Sequence, residues 1–283
     1  MRVAAGQAAA VAGDPAANVA TAARLARLAA QEGVRVLVLP EAFLTGYDLA
    51  TFAGRLPDAS GLDGAWLDPL RGASADGDVV VVAGTALTRG SARRLSQVVV
   101  RPDGTVTAPY DKQFLDGAEK DLFTTGDHGT SITVDGLRLA LSVCYDGCFP
   151  EHARAAAVDG AVGYLSSAAW FPGGAHRRDL HYAARALENG MYVVLSALTG
   201  PCGAHAFIGG SAVYDPEGRP VARLGEEEGL AIAEIDADLV EATRARHTMV
   251  RDHRSDLGDR LLVLEQAAVV PDAVHRSAHR GQV

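Results

Sequence analysis

Apolar runs that suit buried strands alternate along the chain with stretches in which apolar residues recur at helical spacing. Residues 34–39, which are apolar except for Arg35, and the apolar run at 79–84 are typical of strands buried in a sheet. Between Asp14, a suitable N-cap, and Gly33, apolar positions recur every three or four residues, which predicts an amphipathic helix. A strand within residues 1–11, this helix and the next strand together predict an α/β protein.

The second half of the chain repeats this order of elements. A helix is predicted over residues 176–189, between apolar runs at 161–169 and 191–196 that indicate strands. Turn-forming residues at 101–105 and 215–218 each separate two strand-like segments, which predicts one hairpin in each half. Strand, helix, strand and hairpin thus occur twice, and this order suggests two similar halves.

One apolar stretch ends on a cysteine and turns at once. The apolar positions of residues 137–143 alternate as in a strand, and Cys144 follows directly. Gly147 then allows a sharp turn, and Pro150 suits the first turn of a helix. Cys144 is therefore expected at a strand-to-helix junction, where a helix N-terminus favours the nucleophilic thiolate. The simpler alternative is that this cysteine is a small buried apolar residue.

Composition and charge exclude several classes of protein. The chain has 283 residues, 48% of them hydrophobic, which is ample for a large core. A net charge of −9 and the lack of basic clusters interleaved with aromatics argue against nucleic-acid binding. The cysteines at 144, 148 and 202 form no paired framework, and the sequence shows no signal peptide or membrane-spanning stretch. We therefore expect a cytoplasmic protein that does not associate with membranes.

Three reactive side chains stand just beyond predicted strands. Glu41 follows the second strand, Lys112 follows the first hairpin and Cys144 follows the central strand. Because strand ends in α/β proteins converge on one rim, we expect these groups to meet where ligands commonly bind. A thiol that attacks a carbonyl, a carboxylate that moves protons and an ammonium that stabilises an oxyanion would together support acyl transfer. An apolar pocket that raised the glutamate pKa would make a histidine unnecessary.

The segments around these residues resemble the signatures of the nitrilase superfamily, the carbon-nitrogen hydrolases. Five segments match in the family's order: Pro40–Tyr47, Tyr110–Lys112, Cys144–Glu151, Ala184–Asn189 leading into Tyr192–Val194, and Gly210–Gly218. The resemblance implies a four-layer α-β-β-α sandwich of two pseudo-symmetric halves. The resemblance covers residues 1–250, which are expected to form one domain. The sequence from Ala237 is charged and favours a helix, then becomes irregular, and residues 251–283 are expected to form a C-terminal arm that packs on a neighbouring subunit. The resemblance also implies at least a homodimer.

The resemblance also implies roles for individual residues. Glu41 corresponds to the general base and acid, Lys112 to the oxyanion stabiliser and Cys144 to the nucleophile that forms a thioester. Glu119 resembles the family's additional carboxylate, which orients the lysine and the substrate amine. The backbone N–H of Tyr145 would be a second oxyanion donor. The remaining expected pocket residues are Tyr47, Ala169, Trp170 and the side chain of Tyr145, and no cofactor or metal is expected.

Departures from the family pattern bear on the substrate. Tyr145-Asp146 resembles the amidase-type branches rather than the nitrilases, and Gly147 and Cys148 stand where carbamoyl hydrolases tend to carry arginines. These residues favour hydrolysis of a small non-peptide amide to a carboxylic acid and ammonia. The alternatives are an N-carbamoyl amine or amino-acid amidohydrolase, a nitrile hydrolase and a noncatalytic family member that binds a small molecule or a partner.

Two further clusters have simpler interpretations. Cys144, Cys148 and His152 recur every four residues, as zinc ligands on a helix would, but a strand and turn at the first of them would separate their side chains. The polar residues that begin the helix predicted over 176–189 are most simply a solvated face, although the pocket of the family often opens nearby: His176, Arg177, Arg178 and His181.

Overall fold

In the computed structural model, which describes residues 1–262 and 270–271, two six-stranded sheets are flanked by helices. The strands of residues 1–251 are β1 (Arg2–Gln7), β2 (Val36–Val38), β3 (Val80–Arg89), β4 (Ala92–Val100), β5 (Val106–Asp111), β6 (Ser131–Val134), β7 (Leu137–Val143), β8 (Gly163–Ala168), β9 (Tyr192–Ala197), β10 (Thr199–Cys202), β11 (His205–Ile208), β12 (Ala212–Tyr214), β13 (Pro220–Arg223) and β14 (Gly229–Glu234). The α-helices are α1 (Pro15–Gln31), α2 (Leu49–Ala53), α3 (Asp68–Gly77), α4 (Pro150–Val158), α5 (Ala175–Asn189) and α6 (Ala237–Arg246).

The two sheets have the same topology. The first has the strand order β14-β1-β2-β3-β4-β5, and the second, read from its other edge, has the order β6-β7-β8-β9-β12-β13. In each sheet the first pair is antiparallel, the next two pairs are parallel and the last two are antiparallel. This shared pattern confirms the two pseudo-symmetric halves.

Three apolar clusters define the layers. Between the sheets, side chains from both faces interdigitate, as Val36 of the first sheet and Leu165 of the second illustrate. The outer face of the first sheet is covered by α1 and α3, with Leu25 fully buried there. The outer face of the second sheet is covered by α4 and α5, with Tyr182 fully buried there. The result is the predicted four-layer α-β-β-α sandwich.

Local sequence signals account for the long elements but not for every short one. Asp14 caps α1, since its Oδ1 accepts a 3.0 Å hydrogen bond from the Ala17 N–H. Both predicted hairpins are present, as β4–β5 and β12–β13. The β10–β11 hairpin was not predicted, because its two four-residue strands contain glycine and proline in place of an alternating pattern.

The chain divides into two compact units, Met1–Arg251 and Asp252–Val283. In the second unit, strands β15 (Leu261–Leu262) and β16 (Val270–Pro271) pair antiparallel. The predicted packing of a C-terminal arm on another subunit falls largely on residues 263–269 and 272–283, which lie outside the described residues. Within the described ranges, no helix is long and apolar enough to span a bilayer.

Candidate active site

The ends of strands from both sheets meet at one place. Glu41 lies three residues beyond β2, Lys112 directly follows β5 and Cys144 directly follows β7. Hydrogen bonds join the sheets here: the Ser167 hydroxyl donates to the Leu39 carbonyl at 2.7 Å, the Glu41 N–H donates to the Ala168 carbonyl at 3.4 Å, and the Gln97 side-chain amide donates to the Ser167 hydroxyl at 2.9 Å. The predicted convergence of the three reactive groups is therefore present.

A buried lysine between two carboxylates forms the centre of the site. The Lys112 Nζ lies 2.7 Å from Glu41 Oε1, and 2.9 and 2.7 Å from Glu119 Oε1 and Oε2. All three side chains are at most 3% exposed. The ammonium can thus donate its three protons to the two carboxylates in charge-assisted hydrogen bonds, which offset the cost of burying its charge.

Glu119 is held in place by neighbours as well as by the lysine. Its Oε1 accepts a 2.7 Å hydrogen bond from the Tyr47 hydroxyl, and its Oε2 accepts one of 2.9 Å from the Asp116 N–H. Glu119 lies in a 3₁₀ turn over Gly117–Asp121. These contacts fix the Glu119 carboxylate and through it the position of the ammonium.

The close packing of β3 fixes the segment that carries Glu41. A Cβ at Gly84 would lie 2.3 Å from the Pro40 carbonyl oxygen and 2.7 Å from the Glu41 Cα. Only glycine permits this approach of the two backbones. Ala42, the next residue, has a φ of +48°, in the left-handed region that a side chain disfavours. This strain lies directly beside the buried carboxylate.

Cys144 also occupies a strained backbone position. Its φ is +45°, at the start of a 3₁₀ turn over Cys144–Cys148 between β7 and α4. The Tyr182 hydroxyl donates a 3.0 Å hydrogen bond to the Cys144 carbonyl, and the thiol lies 3.5 Å from the Ala169 carbonyl oxygen. A non-glycine residue keeps such a conformation only where its surroundings hold it there, as is common at functional sites.

Helix α5 supports this turn from behind. The Arg185 Nε donates a 2.8 Å hydrogen bond to the Gly147 carbonyl, and a Cβ at Gly147 would lie 2.7 Å from the Tyr182 ring. Arg185 and Tyr182 were not predicted as site residues. Arg185 falls within a segment that matches the family motif, whereas the role of Tyr182 depends on a tertiary contact that has no local signal.

The Asp146 carboxylate connects the chain around Cys144 with the chain around Lys112. Its Oδ2 accepts hydrogen bonds from the Val143 N–H at 2.9 Å and the Tyr110 hydroxyl at 2.6 Å. Its Oδ1 accepts from the N–H groups of Gln113 at 3.2 Å and Phe114 at 2.9 Å. The fully buried side chain thus fixes the residue before the cysteine relative to the residues after the lysine.

Both ring nitrogens of His152 form hydrogen bonds with tyrosine hydroxyls. Its Nε2 lies 2.8 Å from the Tyr110 hydroxyl, and its Nδ1 lies 2.8 Å from the Tyr164 hydroxyl. Burial lowers the pKa of His152, which favours a neutral ring within this network. The spacing of Cys144, Cys148 and His152 therefore reflects separate roles: both cysteines line a cavity, whereas the histidine packs among tyrosines.

The electrostatics of the site follow from burial and mutual proximity. Burial raises the pKa of Glu41, the Lys112 ammonium opposes this shift, and the net effect is a pKa of about 7. Burial alone would lower the pKa of Lys112, but the charges of Glu41 and Glu119 outweigh it and raise that pKa well above its usual value. Glu41 is thus a carboxylate poised to exchange protons near neutral pH, beside a permanently charged lysine.

The Cys144 thiol has a pKa well above its ordinary value, chiefly because it is buried and secondarily because Glu41 lies nearby. The expectation that the helix N-terminus would favour a thiolate is therefore wrong for this environment. A neutral thiol needs a base in order to react, and the Glu41 carboxylate can serve as that base. Its Oε2 has no hydrogen-bond partner among the residues that the structure describes.

A cavity of about 330 Å³ opens onto these groups. Its lining includes every site residue predicted from the sequence: Glu41, Tyr47, Lys112, Glu119, Cys144, Tyr145, Ala169 and Trp170. The start of α5 also faces it, through Arg177 and His181. The prediction of a solvated helix face is thus wrong for His181, which stacks on Trp170, and for Arg178, which is buried and donates a 2.6 Å hydrogen bond to the Gly209 carbonyl.

Comparisons with known proteins agree with this architecture. A carbon-nitrogen hydrolase family model matches residues 2–245. An (R)-stereoselective amidase from a Pseudomonas species is 33% identical over 222 residues, 77% of this chain and 79% of that protein. A 2-oxoglutaramate amidase from Bacillus subtilis is 33% identical over 228 residues, 78% of this chain and 86% of that protein. A solved structure of an amidase from Nesterenkonia sp. AN1 has a TM-score of 0.77 at 33% identity, with 87% of this chain and 97% of that chain covered.

The shared fold places the protein in an α/β class of enzymes, the nitrilase superfamily, to which the Nesterenkonia amidase belongs. Within that class, the chain belongs to the carbon-nitrogen hydrolase family. The amidases among its relatives support the amidase-like branch that the residues after Cys144 indicate.

Proposed function

We propose that the protein hydrolyses the C–N bond of a small non-peptide amide, giving a carboxylic acid and ammonia through a thioester on Cys144. The observation that carries the proposal is that the buried Glu41 and Lys112 and the half-buried Cys144 line one cavity. A carboxylate with a pKa of about 7, an ammonium and a thiol are the groups that acyl transfer requires.

In the first step, the Cys144 sulfur attacks the amide carbonyl carbon while its proton passes to the Glu41 carboxylate. The carbonyl π electrons move to oxygen and create a tetrahedral oxyanion. The Lys112 ammonium and the Tyr145 backbone N–H stabilise this charge. Because the site is buried, these interactions are stronger than they would be in water.

In the second step, the intermediate collapses and the C–N bond breaks. Glu41 returns its proton to the departing nitrogen, so ammonia leaves and the acyl group remains on sulfur as a thioester. Glu41, again a carboxylate, takes a proton from a water molecule that attacks the thioester carbonyl. Collapse of that second intermediate releases the carboxylic acid, and the proton held by Glu41 returns to sulfur.

Glu119 and Tyr47 have supporting roles in this proposal. Glu119 contacts Lys112 through both carboxylate oxygens and accepts a hydrogen bond from the Tyr47 hydroxyl. It therefore orients the Lys112 ammonium. A second carboxylate beside the cavity would also accept a hydrogen bond from the substrate amide nitrogen. Ala169, Trp170 and Tyr145 would form the walls that contact the acyl group.

The size of the cavity and a related enzyme support a small substrate. A volume of about 330 Å³ lies at the lower end for ligand sites, which are typically about 300–1,000 Å³. Mutants of the Nesterenkonia amidase have been solved in complex with butyramide and with acrylamide added to the active-site cysteine. A short acyl chain suits the cavity of the present enzyme.

Ammonia release from a panel of amide, carbamoyl and nitrile substrates tests the proposal. The wild type should release ammonia from at least one amide, and Cys144→Ala should match a blank without enzyme. Cys202→Ala is the matched control, because Cys202 is a buried free thiol that does not line the cavity. The proposal fails if no substrate yields ammonia above the Cys144→Ala level.

We also propose a homodimer or larger homo-oligomer in the cytoplasm. The three free thiols suit a reducing compartment. The proposal of an oligomer rests on the resemblance to a family whose members commonly dimerise.

A further inference from the structure

His152 is a half-buried titratable residue that the proposed chemistry does not use. It lies in the first turn of α4, and its ring packs edge-on against the rings of Tyr110, Phe114 and Tyr164 at centroid distances of 6.0, 6.3 and 5.7 Å. The ring lies outside the lining of the catalytic cavity, so it does not contact a substrate bound there. Any effect of His152 on the reaction must therefore pass through other residues.

The neighbours of His152 fix the direction of each hydrogen bond around it. The Tyr110 hydroxyl donates its one proton to Asp146 Oδ2 at 2.6 Å. Its oxygen can therefore only accept from His152 Nε2, 2.8 Å away, so this nitrogen must carry the proton. In a neutral ring Nδ1 then accepts a hydrogen bond from the Tyr164 hydroxyl at 2.8 Å. The network thus runs from Tyr164 through His152 and Tyr110 to Asp146.

Burial keeps the ring and both hydroxyls in the protonation states that this direction requires. It lowers the pKa of His152 against the opposing charges of Asp146 and Glu151, which favours the neutral ring near pH 7. It also raises the pKa values of Tyr110 and Tyr164 well above their ordinary value, so both hydroxyls keep their protons.

Each hydrogen bond in this network strengthens the next. A hydroxyl that accepts a hydrogen bond becomes a better donor, so donation from His152 strengthens the bond from Tyr110 to Asp146. Asp146 in turn accepts from the N–H of Val143, directly before the nucleophile, and from that of Gln113, directly after the oxyanion-stabilising lysine. The histidine ring is therefore connected through two side chains to the relative position of the thiol and the ammonium.

We propose that His152, as its Nε2–H tautomer, is a positioning residue for amide hydrolysis that acts through Tyr110 and Asp146. By holding these two side chains, it keeps the thiol aligned with the ammonium. The inference rests on the proposed amide hydrolysis at Cys144. It makes the N–H donor the part of His152 on which kcat depends, rather than the size or basicity of the ring.

A second cavity gives access to His152. It has a volume of about 320 Å³, and its lining includes His152 and residues of β6, β7 and α4. Ala155 and Asp159, which also line it, are exposed, so the cavity is open to solvent. It shares no lining residue with the catalytic cavity. A small imidazole could therefore replace the side chain lost in His152→Ala without entering the catalytic cavity.

Chemical rescue of His152→Ala tests which feature of the ring matters. The kcat for ammonia release should fall about 10–100-fold with little change in KM, because the reacting groups lose their alignment. Added 4-methylimidazole, which has an N–H donor, should restore part of the lost kcat. Its isomer 1-methylimidazole, which has the same size and no N–H donor, should restore none. Neither compound should raise the kcat of the wild type.

Two substitutions of similar size provide a test that needs no added ligand. Gln can place an amide N–H close to the position of His152 Nε2, whereas Met has a similar length and no donor. His152→Gln should therefore keep more of its kcat than His152→Met, at equal folded fraction by circular dichroism. A purely structural contribution would lower kcat only in proportion to the folded fraction in both variants.

The two tyrosines that bind His152 form a further matched pair. Tyr110→Phe and Tyr164→Phe each remove a fully buried hydroxyl that lies 2.8 Å from a ring nitrogen. Only the Tyr110 hydroxyl also reaches Asp146, so Tyr110→Phe should lower kcat more than Tyr164→Phe does. This comparison decides the matter if the variants of His152 do not fold.

Heteronuclear NMR of the histidine side chains reads the tautomer directly. The signals lost in His152→Gln identify this residue among the nine histidines. At pH 7 they should show a protonated Nε2 and an unprotonated Nδ1.

The outcomes separate this inference from the proposed function. Equal rescue by the two methylimidazoles, equal kcat in His152→Gln and His152→Met, or an Nδ1–H tautomer would each refute the positioning role and leave amide hydrolysis intact. If the wild type releases no ammonia above the Cys144→Ala level, the proposed function itself fails.

Discussion

The surroundings of Glu41 hold the pKa of its carboxyl group near neutral, where it can accept and return a proton. Burial pushes its pKa up, the adjacent Lys112 pulls it down, and the balance lies at about 7. An exposed glutamate, with a pKa of about 4.3, would be too weak a base to accept a thiol proton efficiently. The sequence shows the glutamate after the strand but not this balance, because the burial of Glu41 and its contact with Lys112 arise only in the folded chain.

Glu41→Gln removes the proposed proton carrier and preserves the size of the side chain. We expect kcat/KM to fall by about 10²–10⁴-fold, the usual contribution of a general acid-base group. Lys112 keeps its second partner, Glu119, so circular dichroism and thermal melting should show an intact fold. Glu241→Gln, on the exposed side of α6, should retain full activity. Equal activity of the two variants would remove Glu41 from the mechanism.

The pH profile of kcat/KM should report the same group. The base form of Glu41 must be present for thiol attack, so activity should rise with pH through about 7 and then level off. No second rise is expected in the ordinary cysteine range, because burial keeps the pKa of Cys144 well above it. A profile that rises only near the cysteine range would indicate direct use of a free thiolate instead.

At the scale of elements, hydrogen bonds from three side chains hold the short turn over Cys144–Cys148 in place. Asp146 ties it to the chain beyond β5, and Tyr182 and Arg185 of α5 bind its carbonyl groups. These bonds hold Cys144 at its positive φ. Asp146 acts through the backbone of its neighbours and is a positioning residue.

Asp146→Asn replaces one acceptor oxygen by a donor amide in front of buried N–H groups. We expect the free energy of unfolding to fall by about 1–3 kcal/mol, the cost of leaving a buried donor unsatisfied. We also expect kcat to fall at least tenfold while KM changes less, because the thiol and the ammonium lose their alignment.

The matched control for Asp146→Asn is Asp215→Asn. The Asp215 Oδ1 accepts two backbone N–H bonds of 2.9 Å, from Glu217 and Arg219, in the second hairpin, which contributes no residue to the cavity. This variant removes one carboxylate charge as Asp146→Asn does, but its amide oxygen can still accept both bonds, so it should keep most of its stability and its kcat. If both variants lower kcat only in proportion to the folded fraction, Asp146 has a purely structural role.

Much of the element pattern follows from local sequence. The spacing of apolar residues predicts the strand preceding Cys144 and helix α1, whose Asp14 cap is also a local signal. Turn-forming residues predict both hairpins. The β10–β11 hairpin lacks such a signal. The interpretation of the start of α5 as a solvated face is wrong for Arg178 and His181, because helical spacing indicates polarity but not what the helix packs against. Both side chains contact protein groups.

At the scale of the whole molecule, the repeated topology explains how the site is assembled. Each half contributes a sheet, and the rim between them receives Glu41 and Lys112 from the first half and Cys144 from the second. The order of the elements and the family motifs together predict that these three residues meet. The pKa values and the Asp146 network depend on side chains that meet only in the folded chain.

The oligomeric state belongs to this scale too. We expect at least a dimer, and light scattering coupled to size exclusion should give a mass of about twice 29.4 kDa or a higher multiple. A single species at the monomer mass across working concentrations would refute this expectation.

The central claim is that Cys144 forms a thioester with the acyl group of an amide. Intact-protein and peptide mass spectrometry on enzyme quenched in acid during turnover tests this most directly. The wild type should gain the mass of the substrate acyl group at the peptide containing Cys144, the adduct should be lost on addition of hydroxylamine, and Cys144→Ala should gain nothing. Ammonia release by the wild type with no adduct at Cys144, or an adduct of equal yield in Cys144→Ala, would contradict the account.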